Sequence, residues 1–185
     1  MYRIERDINN LATYRPDEIR KLINTIQPRT DIVYVNTFSV FGSPTYAVKG
    51  PSSFGDDYTK WRFPTLATVV EATYNEVWKP KEKNIYYLDQ ANLNLYVLEE
   101  TGTDIEDKEY VFLHCEPNTG TNIKNYPYKQ SPHLHIKHAL EPIPHAHIAL
   151  NLTDLSNTLD SCDNLNTAFL EATVLLRNEF ILPLM

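Results

Sequence analysis

The chain has few cysteines and few glycines, two and five among 185 residues. Cys115 and Cys162 lack the number and spacing of a disulfide framework or a zinc ribbon, so both are expected to be free thiols, a usage that suits a reducing compartment. The glycines stand at 42, 50, 55, 102 and 120 and form neither a dinucleotide fingerprint nor a P-loop, which leaves ATP or NAD use without support. No stretch approaches the roughly twenty apolar residues of a membrane span, and the opening "MYRIERDINN" lacks the apolar core of a signal peptide. A cytoplasmic location without a membrane partner is expected. Basic residues are also in the minority, 17 against 24 acidic, for a formal charge of −7. The averaged field therefore repels nucleic acid and anionic lipid, although a local basic groove or a compact pocket is compatible with it.

What the chain does have is enough apolar residue, 42% of the total, to bury a sizeable interior. Its length suits one domain spanning 1–185, and no linker interrupts it. Three segments read as helices. In "RPDEIRKLINTIQP", Pro16 suits a first turn, Asp17 and Glu18 favour the positive end of the helix dipole, and Ile19, Leu22, Ile23 and Ile26 form an apolar stripe. In "FPTLATVVEATYNEVW", Leu66, Val69, Val70, Thr73 and Val77 recur on one face between Pro64 and Pro80. In "NLNTAFLEATVLLRNEF", Asp163 or Asn164 is the expected cap, and Leu165, Phe169, Ala172 and Leu176 share a face.

Segments rich in Val, Ile, Tyr and Phe read as strands: "DIVYVNTFSVF", "PTYAVKG", "NIYYLD", "NLNLYVLEE", "EYVFLHCE", "HLHIKH" and "HAHIALNL". Connections between the later ones are too short for helical crossovers, so neighbouring pairs are expected to be antiparallel. The predicted class is α+β, a mainly antiparallel sheet with about three helices, the C-terminal one packed on the sheet.

All six histidines fall between 114 and 147, inside a strand region that runs from 110 to 151. Alternation puts His133 and His135 on one face of a strand, and likewise His145 and His147. If the two segments pair about Leu140, His133 faces His147 and His135 faces His145, and a one-residue slip would separate the pairs. Four imidazoles on one patch make His133, His135, His145 and His147 the candidate ligands of a divalent transition metal, whether zinc, nickel, iron, manganese or copper. Glu141 is a candidate fourth ligand or catalytic base, and Glu116 a candidate for orienting a ligating imidazole. His114 or Cys115 is placed to enter from the adjacent strand. As sequence neighbours these two send their side chains to opposite faces, so a Cys–His nucleophile is disfavoured and Cys115 reads as a buried thiol.

The same residues permit metal-free chemistry, with one imidazole as base and another as acid in phosphodiester cleavage, and Lys129, Lys137, Tyr126 and Tyr128 as phosphate contacts. A third reading is non-enzymatic: partly exposed histidines that bind nothing, or a structural metal clip. The leading expectation is a hydrolase of nuclease or phosphodiesterase type, acting on a small-molecule or nucleic-acid substrate, with His133, His135, His145, His147 and Glu141 as its catalytic set.

The stretch "YVFLHCEPNTGTNIKNYPYKQSPHLHIKHALEPIPHAH", residues 110 to 147, followed by a C-terminal helix, resembles small bacterial toxins of toxin–antitoxin operons. Those toxins carry a Pro-His segment and then a Pro-His-x-x-His segment, for which the matching positions here are Pro132, His133, Pro144, His145 and His147, the last one residue nearer than that spacing. The resemblance implies a toxin-like or defence-associated role with nucleic acid or nucleotide as target. The chain departs from the pattern in having "YPYKQS" where an Arg-Tyr-Asp-Asn stretch is expected, in the longer distance between the two segments, and in its first hundred residues, which carry none of the likeness.

Overall fold

The computed structural model describes residues 4–26, 34–40, 43–49, 61–62, 70–101, 104–117, 130, 132–137, 145–149 and 155–181. Helix α1 (Ile8–Ile26) follows a short strand β1 (Glu5–Asp7). Its start is set by Asp7, whose Oδ1 accepts from the backbone amides of Asn9 and Asn10 at 2.9 and 3.0 Å and so satisfies two of the donors a helix leaves open. The helix therefore begins eight residues before Pro16, which lies inside it rather than in its first turn. Leu11, Arg15, Ile19, Leu22 and Ile23 are its buried positions, at the spacing of one face.

The strands are β2 (Tyr34–Val40), β3 (Ser43–Lys49), β4 (Trp61–Arg62), β5 (Val70–Glu82), β6 (Ile85–Thr101), β7 (Asp104–Cys115), β8 (His133–Lys137) and β9 (His145–Ala149). They form one sheet in the order β2-β3-β5-β6-β7-β8-β9, with β1 added to β6 and β4 to β5. Each of these pairings is antiparallel. Lys83 and Asn84 join β5 to β6, and Asn84 takes φ of 62°, a left-handed conformation that asparagine tolerates better than most residues. The two segments "NIYYLD" and "NLNLYVLEE" are a single strand, β6.

A one-turn helix α2 (Leu155–Thr158) precedes α3 (Cys162–Leu176), which runs into a π-helical turn, Arg177–Ile181. The cap of α3 is Ser161, whose Oγ accepts from the Asn164 amide at 3.1 Å, in place of the expected Asp163 or Asn164. Leu165, Phe169, Ala172 and Leu176 are buried as the stripe predicted. The class is α+β, with a mainly antiparallel sheet and a C-terminal helix, but two helices of more than one turn are described instead of about three. The expected helix over 64–79 is the reason: from Val70 onward it is β5, and 63–69 lie outside the described residues.

The strand alternation there is unusual. Ala72, Tyr74, Glu76 and Trp78 all point into the interior and are at most 2% exposed. A carboxylate in that set breaks the apolar alternation by which a strand is recognised. Glu76 is tolerated because Arg15 of α1 meets it twice, Nε donating to Oε1 at 2.8 Å and Nη2 to Oε2 at 2.7 Å. The Tyr74 hydroxyl and Trp78 Nε1 add bonds of 3.1 and 3.0 Å. Arg15 Nη1 continues to Glu18 and to Asn166 of α3, which ties both helices to the sheet. Burial opposes the Arg15 charge, but the adjacent Glu76 carboxylate outweighs it and holds the guanidinium well above its ordinary pKa.

The core between this sheet face and the helices gathers Leu93 and Leu95 of β6, Val111, Leu113 and Cys115 of β7, and Leu134 of β8 with the stripes of α1 and α3. Phe169 meets Tyr74 edge to face with centroids 6.2 Å apart. Each such aliphatic side chain contributes about 1.5–3 kcal/mol on burial.

Candidate metal centre

The opposite face of the same strands carries the histidines. Register fixes this, because paired residues of antiparallel strands share a face. One cross-strand row runs Asn75, Asn92, His114, His133, and the next runs Thr73, Asn94, Phe112, His135. Between them lie the inward residues Leu93, Leu113 and Leu134, so a core on one side forces the polar set to the other.

The result is a cluster of His114, His133 and His135, each offering one nitrogen within 4.8 Å of the others. His133 is 1% exposed, while His114 and His135 are half-buried. The Nε2 atoms of His133 and His135 lie 2.9 Å apart, so one imidazole donates to the other. The His114 ring is 4.4 Å from that of His135 and 6.2 Å from that of His133, centroid to centroid. His114 also stacks on Phe112 at 5.6 Å with an interplanar angle of 16°. Its Nε2 lies 3.1 Å from Asn94 Oδ1. Three imidazoles from two adjacent strands could hold a metal ion with coordination positions left for other ligands.

The pairing of β8 with β9 differs from the one expected. It is centred on position 141 instead of Leu140, so His135 faces His147, Lys137 faces His145 and His133 faces Ala149. The shift is by two residues in the partner strand, which preserves the face but displaces every contact. Centring on Leu140 would also have set Pro144, which has no N–H for the ladder, opposite Ile136. In the observed register β9 begins just after Pro144.

Of the expected set, His133 and His135 come together, and His114 joins them from β7. The side chains of His145, His147 and Lys137 lie outside the described residues, as do Glu141, Lys129, Tyr126, Tyr128 and His138 altogether. Glu116 lies half-buried one residue beyond β7. Cys115 points to the core, its Sγ donating to the Gln130 carbonyl at 3.2 Å, and burial pushes its thiol far above the ordinary cysteine range. Both cysteines are free and buried.

Asn94 and Phe112 were absent from the sequence reading. The alternation Asn92, Leu93, Asn94, Leu95 in "NLNLYV" marks a polar face, but only the register with β7 shows that this face adjoins His114. No protein-family model, curated protein or solved structure matches the chain.

Proposed function

We propose that the chain is a metal-assisted hydrolase whose centre is His114, His133 and His135, acting on a phosphodiester or nucleotide-like substrate. The observation that carries this reading is the convergence of three ligand nitrogens within 4.8 Å on one sheet face, from β7 and β8. A divalent transition metal bound there supplies a water of lowered pKa and polarises a phosphoryl oxygen. The protein's part is to orient the imidazoles, Phe112 fixing the plane of His114 and Asn94 its edge. In the net reaction the water oxygen bonds to phosphorus, the bond from phosphorus to the leaving oxygen breaks, and that oxygen takes a proton. The likeness of residues 110 to 147 to toxin–antitoxin toxins favours a nucleotide-like substrate within this class.

The 2.9 Å contact between His133 and His135 supports a second reading, in which the pair shares a proton and divides acid and base roles without a metal. One experiment separates them. Untagged protein is stripped with chelator, reconstituted with zinc, manganese or nickel, and assayed on bis(p-nitrophenyl) phosphate. Activity that disappears on stripping and returns with one ion supports the metal reading. Activity indifferent to chelator assigns the chemistry to the imidazole pair, and no activity under any condition removes both.

A further inference from the structure

We propose that Asn94 is a positioning residue that selects the ring tautomer of His114 and so decides which of its nitrogens meets a metal. The proposal rests on the metal reading of the site and adds to it the identity of the ligand atoms.

His114 Nε2 lies 3.1 Å from Asn94 Oδ1, and a carboxamide oxygen only accepts hydrogen bonds. Nε2 therefore carries the proton, and in the neutral ring the lone pair sits on Nδ1. The other end of the amide faces Tyr96, with Nδ2 3.5 Å from the phenolic oxygen. The ring cannot turn about its Cβ–Cγ bond, which would put Cε1 where Nε2 stands, without breaking the Asn94 bond and disturbing its stack on Phe112. On β8 the two imidazoles approach each other through Nε2. An ion in this cluster would thus be held by Nδ1 from β7 and by Nε2 from β8, once the proton shared by His133 and His135 has left Nε2 for an Nδ1 or for solvent.

The mixed set follows from the sheet. His133 and His135 occupy alternate positions of one strand and reach the same point with the same ring edge. His114 stands on the neighbouring strand, directly opposite His133 in register, and reaches it from the side. A carbonyl that accepts from the distal N–H also raises the basicity of the ligating nitrogen.

The test uses the full chain and zinc as probe. Long-range proton–nitrogen NMR on the metal-free protein reads the tautomer of His114, and zinc affinity is measured by competition with a chromophoric chelator. The expected results are an Nε2–H tautomer in the wild type, a mixture in Asn94→Leu, and a loss of about 10- to 100-fold in zinc affinity for that variant, the usual effect of removing a ligand's hydrogen-bond partner. Asn94→Asp keeps an acceptor and restores both readouts. Asn92→Leu, two residues along the same strand and bonded to Asn75, leaves both unchanged. An Nδ1–H tautomer in the wild type overturns the proposal, as does equal affinity in Asn94→Leu and Asn92→Leu. If the wild type binds no zinc, the metal reading above falls, and the tautomer comparison on metal-free protein still decides the role of Asn94.

Discussion

Two polar clusters lie on opposite faces of one sheet. On the helix side, Arg15 and Glu76 are a complementary pair, at most 3% exposed, and the other bonds to them come from Tyr74, Trp78, Glu18 and Asn166. Their arrangement explains itself: each charge answers the other, and the set stitches α1 and α3 to β5. On the other face, His114, His133 and His135 are three groups of one kind, which offer each other no charge complement. Three like groups within 4.8 Å are the kind of set that could hold a cation. The first cluster is built on opposite charges that neutralise each other, the second on like groups that share one kind of ligand atom.

The sharpest way to break this contrast is to open the closed cluster. Glu76→Leu removes the buried carboxylate from Arg15 Nε and Nη2, leaving Glu18 as the remaining carboxylate on Nη1, and is expected to cost about 3–5 kcal/mol, read by urea denaturation. The double variant Arg15→Met/Glu76→Leu should recover most of that loss, because an apolar pair of similar volume replaces the ions. If the single and double variants are equally damaged, the network is not the closed unit described.

On the histidine face the effect moves from stability to binding. His135→Ala should lower zinc affinity by more than about 100-fold, beyond what loss of a ligand's orienting partner produces. Its melting temperature should stay within a few degrees of the wild type, as for an ordinary half-exposed substitution. A large drop in melting temperature in the metal-free chain would place the histidines among the structural groups and erase the contrast.

Smaller effects sharpen it. Tyr74→Phe removes one bond to the Glu76 carboxylate and should cost about 2 kcal/mol, the scale of a hydrogen bond to a charged group. Glu18 supplies a pH signature. Burial raises its carboxyl, but Arg15 and Arg6 outweigh burial and hold it below the ordinary carboxylate value. A depressed folded pKa means stability that is complete above the unfolded value of about 4.3 and lost as pH falls through the folded one. Denaturation midpoints followed downward from pH 5 should therefore fall less steeply in Glu18→Gln than in the wild type. The smallest effect is chemical: with both thiols buried and raised, native protein should react with a disulfide reagent only at the rate of its opening.

Most strands were legible because β-branched and aromatic residues cluster between turn residues, and the stripes of α1 and α3 were legible because their apolar spacing is helical. The segment around β5 was not, because Val70, Thr73 and Val77 recur at helical spacing while Glu76 interrupts the inward alternation of Ala72, Tyr74 and Trp78. Charge at an inward position looks like a break in alternation until Arg15, 61 residues away, is known to reach it. The start of α1 is not evident from Pro16, which suits a first turn, because Asp7 caps the helix and the chain carries the proline within it.

The histidine site divides the same way. Sequence by itself determined that the six histidines crowd one region, that His133 and His135 share a face, and that His114 and Cys115 part to opposite faces, since all three follow from the two-residue period of a strand. Which strands lie side by side, and in what register, was decided only by the tertiary structure. That is why His114 and Asn94 complete the cluster and why β9 pairs about position 141. Alternation is a local property of the chain, but register is set by the whole sheet packing its apolar face against the helices.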